Sequence, residues 1–326
     1  MNEAPLTIWT NAQFPAEVAQ ALADGVAPHR LVYATQMSQS NLAASSADPA
    51  LEQADIAFGQ PHAAQVITLD RLRWVHLTSA GYTAYDRDEV RAALRGRGAR
   101  LTTSSGVYDE PCAQHALTMM LALARQLPAA LVTQVQGRER AQAKLRAESR
   151  LLNGQTALLV GFGAIALRLS ELLAPFAMKL IGVRRQLAGA EPIAMITLEQ
   201  LDEYLPLADH VVNLLPANAS TTRLMDARRF GLMKPGARFY NLGRGTTVVQ
   251  EALLDALQRG RLAAAYLDVT EPEPLPPEHP LWTAPNCYIT PHTAGGEQRE
   301  MWRLVEHFLA NLKRFTAGEA LLNQVI

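Results

Sequence analysis

The chain has 326 residues, 48% of them hydrophobic and 19% charged, a profile that suits a folded globular protein of two domains and excludes a disordered one. With 30 basic and 31 acidic residues the formal net charge is −1, so no bulk field favours nucleic acid or an anionic membrane as a partner. No apolar run reaches the roughly 18–20 residues of a membrane span. The first residues (MNEAPLTIWT) lack a secretory pattern, and Cys112 and Cys287 are too few for a disulfide framework or a metal site, so a cytoplasmic protein is expected.

Short apolar runs alternate with helical patterns along the chain, which predicts an α/β fold with largely parallel sheets. In the first third, strands are expected at Thr7–Trp9, Leu31–Ala34, Ile56–Phe58 and Trp74–Leu77, with a helix over Ala16–Ala23. The segment Pro111–Leu127 (PCAQHALTMMLALARQL) reads as a long apolar helix with Pro111 in its first turn, to be buried in a core or between subunits. The polar stretch QVQGRERAQAKLRAES that follows has no strand signal and reads as a connector. From Thr156 the alternation strengthens, with strands expected at Ala157–Val160, Lys179–Val183, His210–Asn213, Arg238–Asn241, Ala264–Asp268 and Cys287–Thr290, enough for a doubly wound sheet. The proline cluster EPEPLPPEHP reads as a rigid loop, and Glu297–Phe315 as an amphipathic helix.

The string ALLVGFGAIALRLSELL places Gly161, Gly163 and Ala166 directly after an apolar strand and at the start of a helix. This is G-x-G-x-x-G/A in the context that binds a dinucleotide. The first glycine permits the turn, the second admits the pyrophosphate, and the small third residue lets helix and strand pack. Phe162, Ala164 and Ile165 complete the turn and the helix N-terminus whose N–H groups face the phosphates. A site for NAD usually carries an acid about 20 residues on. Here Arg184 and Arg185 occupy that place, and no acid lies between Glu171 and Glu191. A guanidinium grips a 2′-phosphate that a carboxylate would repel, so NADP is the expected cofactor and NAD the alternative.

Three further strings fall at the C-terminal ends of later expected strands: FYNLGRGTTV with Arg244, AAYLDVTEPEPLP with Asp268 and Glu273, and ITPHTAGG with His292. Taken singly, these read as a surface charge, a solvated loop acid and a turn residue. Their order after the glycine turn, together with LRWVHLTSAGY (72–82), SSGVYDEPCAQHALTMMLALAR (104–125) and the LLP of Leu214–Pro216, closely resembles the D-isomer-specific 2-hydroxyacid dehydrogenase family over nearly the whole chain.

The resemblance implies a Rossmann cofactor domain over residues 104–295 and a flavodoxin-like substrate domain formed by residues 1–103 and 296–326. It implies NAD(P)H-dependent interconversion of small 2-keto acids and D-2-hydroxy acids, of the glyoxylate or hydroxypyruvate reductase kind, in a homodimer. Arg244 would hold the substrate carboxylate and ketone oxygen. His292 would exchange a proton with the carbonyl oxygen, and Glu273 would bind the other imidazole nitrogen. Ser79 and the amides of Ala80 and Gly81 would complete the carboxylate site, with Tyr82, Tyr108 and Trp282 making the pocket compact. Leu215, Pro216, Leu242, Gly243, Asp268, His292 and Ala294 would line the cofactor, with Asp268 on the nicotinamide side. The remaining histidines (His29, His62, His76, His210, His279 and His307) read as structural. His115 follows Gln114 where the family commonly has Glu-His. The family also includes members that oxidise other small donors, and cofactor-sensing binding proteins, and these stand as the alternatives. Its phosphoglycerate branch often carries an extra regulatory domain, for which no room is expected after Phe315.

Overall fold

A computed structural model describes residues 4–38, 45–136, 142–187 and 189–326. The chain divides into two compact units, Met1–Tyr108 with Gly296–Ile326, and Asp109–Gly295.

The first unit is built on five parallel strands, β1 (Thr7–Ala12), β2 (Arg30–Ser38), β3 (Ile56–Gly59), β4 (Trp74–Leu77) and β5 (Arg100–Thr102), in the order β2-β1-β3-β4-β5. This is the flavodoxin-like order. Adjacent residues of a strand point to opposite faces, so Ile8 and Trp9 belong to different cores. On one face, Ile8, Phe58 and Trp74 meet α1 (Ala16–Gly25) and the last helix, whose Phe308 ring stacks 4.2 Å from that of Phe58. On the other, Trp9, Val75 and Leu77 pack with Val90 and Leu94 of α3 (Asp88–Gly96), which follows the short α2 (Ala63–Thr68).

The second unit carries seven parallel strands: β6 (Thr156–Val160), β7 (Lys179–Val183), β8 (Ala194–Ile196), β9 (His210–Asn213), β10 (Ala237–Asn241), β11 (Leu262–Leu267) and β12 (Cys287–Ile289). Their order is β12-β11-β10-β9-β6-β7-β8, so the chain leaves β8 at one edge and returns beside β6. That reversal is the switch point where doubly wound sheets bind ligands. The strands β6, β9 and β10 are buried almost throughout, as central strands of a parallel sheet are. Its helices are α7 (Ala164–Leu173), the single turn α8 (Leu201–Tyr204), α9 (Ala227–Leu232) and α10 (Gln250–Gln258), and α11 (Glu300–Thr316) returns the chain to the first unit.

Between the sheets the helices differ from the sequence expectation. Helix α4 runs over Ser105–Ala124, so Pro111 lies inside it and not in its first turn. Ser104 and Ser105 read as loop formers, yet Ser104 donates its hydroxyl to Leu77 O (2.7 Å) and its amide to Ser79 O (3.0 Å), and this anchors an earlier first turn. Helix α4 stops short of Leu127 because Gln126 adopts φ +58°, which no helix interior tolerates. The polar stretch expected as a connector forms α5 (Leu127–Gln136) and α6 (Gln142–Glu148), while Gly137–Ala141 lies outside the described residues. Strands β5 and β8 were not anticipated, since three residues are too few to show a period. No single helix among the described residues is long and apolar enough to cross a membrane.

His210 is fully buried in β9, bound to the Tyr240 hydroxyl (2.9 Å) and to Gln155 Oε1 (2.6 Å). Burial first, and then the nearby charge of Arg238, lowers its pKa to about 3. In the unfolded chain it titrates near its ordinary value of 6.5, so below that pH the unfolded state binds a proton that the folded state refuses. Stability contributed by neutral His210 is therefore present above pH 6.5 and lost as the pH falls toward 3. Urea unfolding of wild type and His210→Gln at pH 7 and 4.5 should show a smaller acid loss in the variant.

Candidate active site

The C-terminal ends of β6, β7 and β9 enclose a cavity of about 470 Å³. It gathers Gly161, Phe162, Gly163, Arg184, Arg185, Leu215 and Pro216, all anticipated from sequence, and adds Gln186, Leu198, Asn218 and Thr221. Gly161 has φ +100°, and a Cβ there would come 2.9 Å from the carbonyl carbon of Leu214, so the turn requires glycine. Its amide and that of Phe162 both donate to Val183 O (3.0 and 2.8 Å), tying the turn to β7. Gly163 caps α7, and a Cβ on it would meet no protein atom within 4 Å. Ala164 and Ile165 form the helix's first turn and do not line the cavity.

Both arginines at the tip of β7 are exposed. Arg184 Nη1 lies 3.5 Å from Glu191 Oε1, whereas Arg185 makes no ion pair among the described residues. Glu191 is thus an acid near the cavity that counting along β7 did not reach. Asn218 and Thr221 were also missed. They hold each other in a turn, with the Asn218 amide donating to Thr221 Oγ1 (3.0 Å) and that hydroxyl to Pro216 O (2.6 Å). The polar run after the LLP was the available signal.

Beyond β10, Leu242 and Gly243 are buried and lead to Arg244. A buried side-chain network fixes this loop. Asn213 donates to Asn241 Oδ1 (2.9 Å) and Thr247 Oγ1 (2.7 Å), while Asn241 Nδ2 and the Thr247 hydroxyl both donate to Arg244 O (3.2 and 2.6 Å). The Arg244 side chain donates to Gly243 O (2.7 Å) and makes no ion pair among the described residues. Desolvation lowers its pKa from the ordinary arginine value, and Glu273 and the buried Cys112 oppose that shift. A guanidinium stays charged nonetheless.

Glu273 reaches across to His292, with Oε1 2.5 Å from Nδ1. Nε2 makes no hydrogen bond among the described residues. His292 sits at φ +52°, its amide bonded to Asp268 O (2.9 Å) and Thr290 O (3.0 Å). Asp268 is 3% exposed, and its carboxylate accepts from the Thr290 hydroxyl (2.6 Å) and from the amides of Thr293 (2.9 Å) and Ala294 (3.1 Å). Its oxygens therefore hold the loop that carries His292, a use the sequence reading, which turned Asp268 toward the nicotinamide, did not foresee. The Tyr266 hydroxyl connects Thr290 to His115 Nε2. Gln114 is exposed and donates to Glu110 (2.6 Å), on the helix surface.

In the first unit, the loop after β4 presents Ser79, Ala80 and Gly81. The Ser79 hydroxyl donates to Gly81 O (2.6 Å) and accepts from Gln60 Nε2 (3.0 Å). The amides of Ala80 and Gly81 have no hydrogen-bond partner among the described residues. Tyr108 donates to Thr78 O (2.9 Å), and Tyr82 packs on the core beneath this loop. In the second unit Trp282 is 46% exposed and donates to Pro276 O (2.9 Å).

A glycine turn on a Rossmann sheet, with an Arg, Glu and His on its later loops, defines a dehydrogenase that uses a nicotinamide dinucleotide. Residues 117–294 match the family model described as D-isomer specific 2-hydroxyacid dehydrogenase, NAD binding domain. The chain is 33% identical over 261 residues to the glyoxylate reductase/hydroxypyruvate reductase of Mus musculus, covering 78% of this chain and 77% of the relative. A D-isomer specific 2-hydroxyacid dehydrogenase family protein from Aeromonas salmonicida superposes with a TM-score of 0.78 at 30% identity, over 99% of both chains. A D-isomer specific 2-hydroxyacid dehydrogenase from Xanthobacter autotrophicus, solved with NADPH and MES, gives 0.80 at 26% identity over 99% of this chain and 98% of that one. The chain belongs to the D-isomer specific 2-hydroxyacid dehydrogenase family.

Gly245 offers a direct test of how tightly the loops that carry Arg244 and Glu273 are fitted. A Cβ there would lie 1.9 Å from Thr270 O, a backbone atom that cannot step aside cheaply. Gly245→Ala should cost about 1–3 kcal/mol of stability, the usual range for overpacking. It should also slow turnover by shifting Arg244, as read by chemical denaturation and steady-state kinetics.

Proposed function

We propose that the protein is an NADPH-dependent reductase of small 2-keto acids such as glyoxylate or hydroxypyruvate, acting as a homodimer in the cytoplasm. The observation that carries this reading is the His292–Glu273 pair at 2.5 Å, close enough to Arg244 for Glu273 to act on its charge. Glu273 at Nδ1 fixes the ring and compensates its charge when it carries a proton. Nε2 is then left to deliver that proton to a carbonyl oxygen. Arg244, a fork with donors to spare, suits the carboxylate beside that carbonyl. In the first unit the amides of Ala80 and Gly81, unpartnered among the described residues, suit an anionic group such as a carboxylate.

The cradle fits the cofactor. Gly161 permits the turn, Gly163 leaves room against the backbone, and the first amides of α7 would hold a pyrophosphate. Bound there, the reduced nicotinamide would supply a hydride to the keto carbon. Leu215, Pro216, Leu242, Gly243 and Ala294 would shape its pocket, and Arg184 with Arg185 would take the 2′-phosphate. The Xanthobacter relative holds NADPH, and the mouse relative reduces glyoxylate and hydroxypyruvate by name.

Purified protein should oxidise NADPH faster than NADH with glyoxylate or hydroxypyruvate, and silence across a panel of 2-keto acids overturns the reading. His292→Asn should lower kcat by about 100- to 10,000-fold, the range of general acid–base catalysis, with NADPH affinity kept. Arg185→Gln should weaken kcat/KM for NADPH by roughly 10- to 100-fold, as expected for a lost charged hydrogen bond, and leave NADH use unchanged.

The dimer rests on α5. Leu127, Leu131 and Val135 recur at four-residue spacing, and all three are exposed, Val135 at 85%. Such a stripe marks an interface in a soluble protein. Cys112 and Cys287 form no disulfide among the described residues, which fits a reducing compartment. Light scattering should give twice the 35.6 kDa chain mass for wild type and the chain mass for Leu131→Glu/Val135→Glu.

A further inference from the structure

Tyr266 is the penultimate residue of β11, and Asp268 follows that strand. A run of short hydrogen bonds joins the two to α4. His115 of α4 brings Nε2 to 2.5 Å from the Tyr266 hydroxyl oxygen, with the two rings stacked at 5.6 Å between centroids. That oxygen lies 2.5 Å from Thr290 Oγ1, which lies 2.6 Å from Asp268 Oδ1. All four residues belong to the second unit.

The last member sets the direction of every proton in this run. A carboxylate only accepts, so the Thr290 proton goes to Asp268. Tyr266 cannot take over that role, because its oxygen is 3.5 Å from Asp268 Oδ1, well outside the 2.5–3.0 Å of an ordinary O–H···O bond. A hydroxyl has one proton, and with its own given to Asp268 the Thr290 oxygen must accept from Tyr266. Burial raises the Tyr266 pKa, so the phenol keeps the proton it donates. The Tyr266 oxygen in turn accepts from His115, which must carry hydrogen on Nε2. No described residue bonds Nδ1 of that ring to favour the other tautomer. Donation therefore runs one way, from His115 through Tyr266 and Thr290 to the Asp268 carboxylate.

A threonine hydroxyl rotates to suit its neighbours. With a proton from Tyr266 on its oxygen, Thr290 is held with its own proton on Asp268, and each bond in such a chain strengthens the next. The same carboxylate binds the amides of Thr293 and Ala294, directly after His292.

We propose that Tyr266 and His115 are positioning residues for the reaction, holding Thr290 on Asp268 and through that carboxylate the loop that carries His292. This role rests on the reading of the protein as a 2-keto acid reductase. Tyr266→Phe keeps the ring and removes the hydroxyl. With the 2-keto acid reduced fastest, it should lower kcat roughly 3- to 10-fold, the worth of one neutral hydrogen bond, at an unchanged KM. Thr290→Val breaks the run at its next member, and in that background Tyr266→Phe should change kcat by less than twofold. Equal losses in the two backgrounds overturn the proposal. Magnetic resonance of protein carrying isotope-labelled histidine, at pH 8, should show the His115 hydrogen on Nε2, and Tyr266→Phe should shift the His292 ring resonances. A hydrogen on Nδ1 of His115, or His292 resonances that do not move, also overturns it. These spectra need no turnover, so a protein silent toward 2-keto acids loses the reductase reading while the spectra still decide the hold on His292. Should Tyr266→Phe fail to fold, His115→Leu replaces it. Its kcat should fall severalfold and be restored in His115→Gln, whose amide N–H reaches the place of Nε2. An unchanged kcat in His115→Leu, or no restoration by glutamine, overturns the proposal.

Discussion

The Asp268 carboxylate is the interaction on which the geometry of the loop that carries His292 depends. It ends β11, lies almost wholly out of water, and would be costly there without partners. Its partners are the Thr290 hydroxyl and the amides of Thr293 and Ala294, which bracket His292 on either side. Fixing the backbone before and after a residue fixes that residue, and His292 is held at a positive φ that a histidine adopts only under constraint. Glu273 can then meet Nδ1 from a separate loop. One buried acid thus sets the position of an imidazole it never touches through the ring.

The same economy governs Arg244. Its backbone carbonyl is gripped by Asn241 and Thr247, which Asn213 links from the neighbouring strand. Parallel strands end together at one edge of the sheet, so short polar side chains at those ends can bond across strands where the ladder stops. The switch point therefore supplies a crevice and also a rigid rim on which a guanidinium and an imidazole can be mounted. Preorganisation of this kind separates a catalytic constellation from a chance collection of polar residues.

Much of this was legible in the sequence because it rests on local rules. The strands β6, β7, β9, β10 and β11 announce themselves as apolar runs, and Gly161 and Gly163 stand where a strand gives way to a helix. Arg244, Glu273 and His292 were readable only through the order of their motifs, since each alone resembles a surface residue. What was hidden depends on contacts distant in the chain. The early start of α4 is anchored by Ser104 on Leu77 and Ser79, and no window around Ser104 contains those partners. The use of Asp268 was hidden because its partners lie more than 20 residues on. The pairing of Glu191 with Arg184 was hidden because the chain returns through a turn, which counting along a strand does not reveal.

Partnership also sorts the arginines. Arg229 is bound to Asp202, Arg168 to Glu110 and Glu171, and Arg71 to Asp55, so their charges are answered within the fold. Arg185, Arg244 and Arg238 have no ion-pair partner among the described residues, and each lies at an end of the same sheet. For exposed Arg185, water answers the charge at little cost. Arg244 is largely removed from water, and its depressed pKa shows an environment that resists positive charge. A guanidinium placed so, with no carboxylate of the fold paired to it among the described residues, suits a carboxylate that comes from outside the fold.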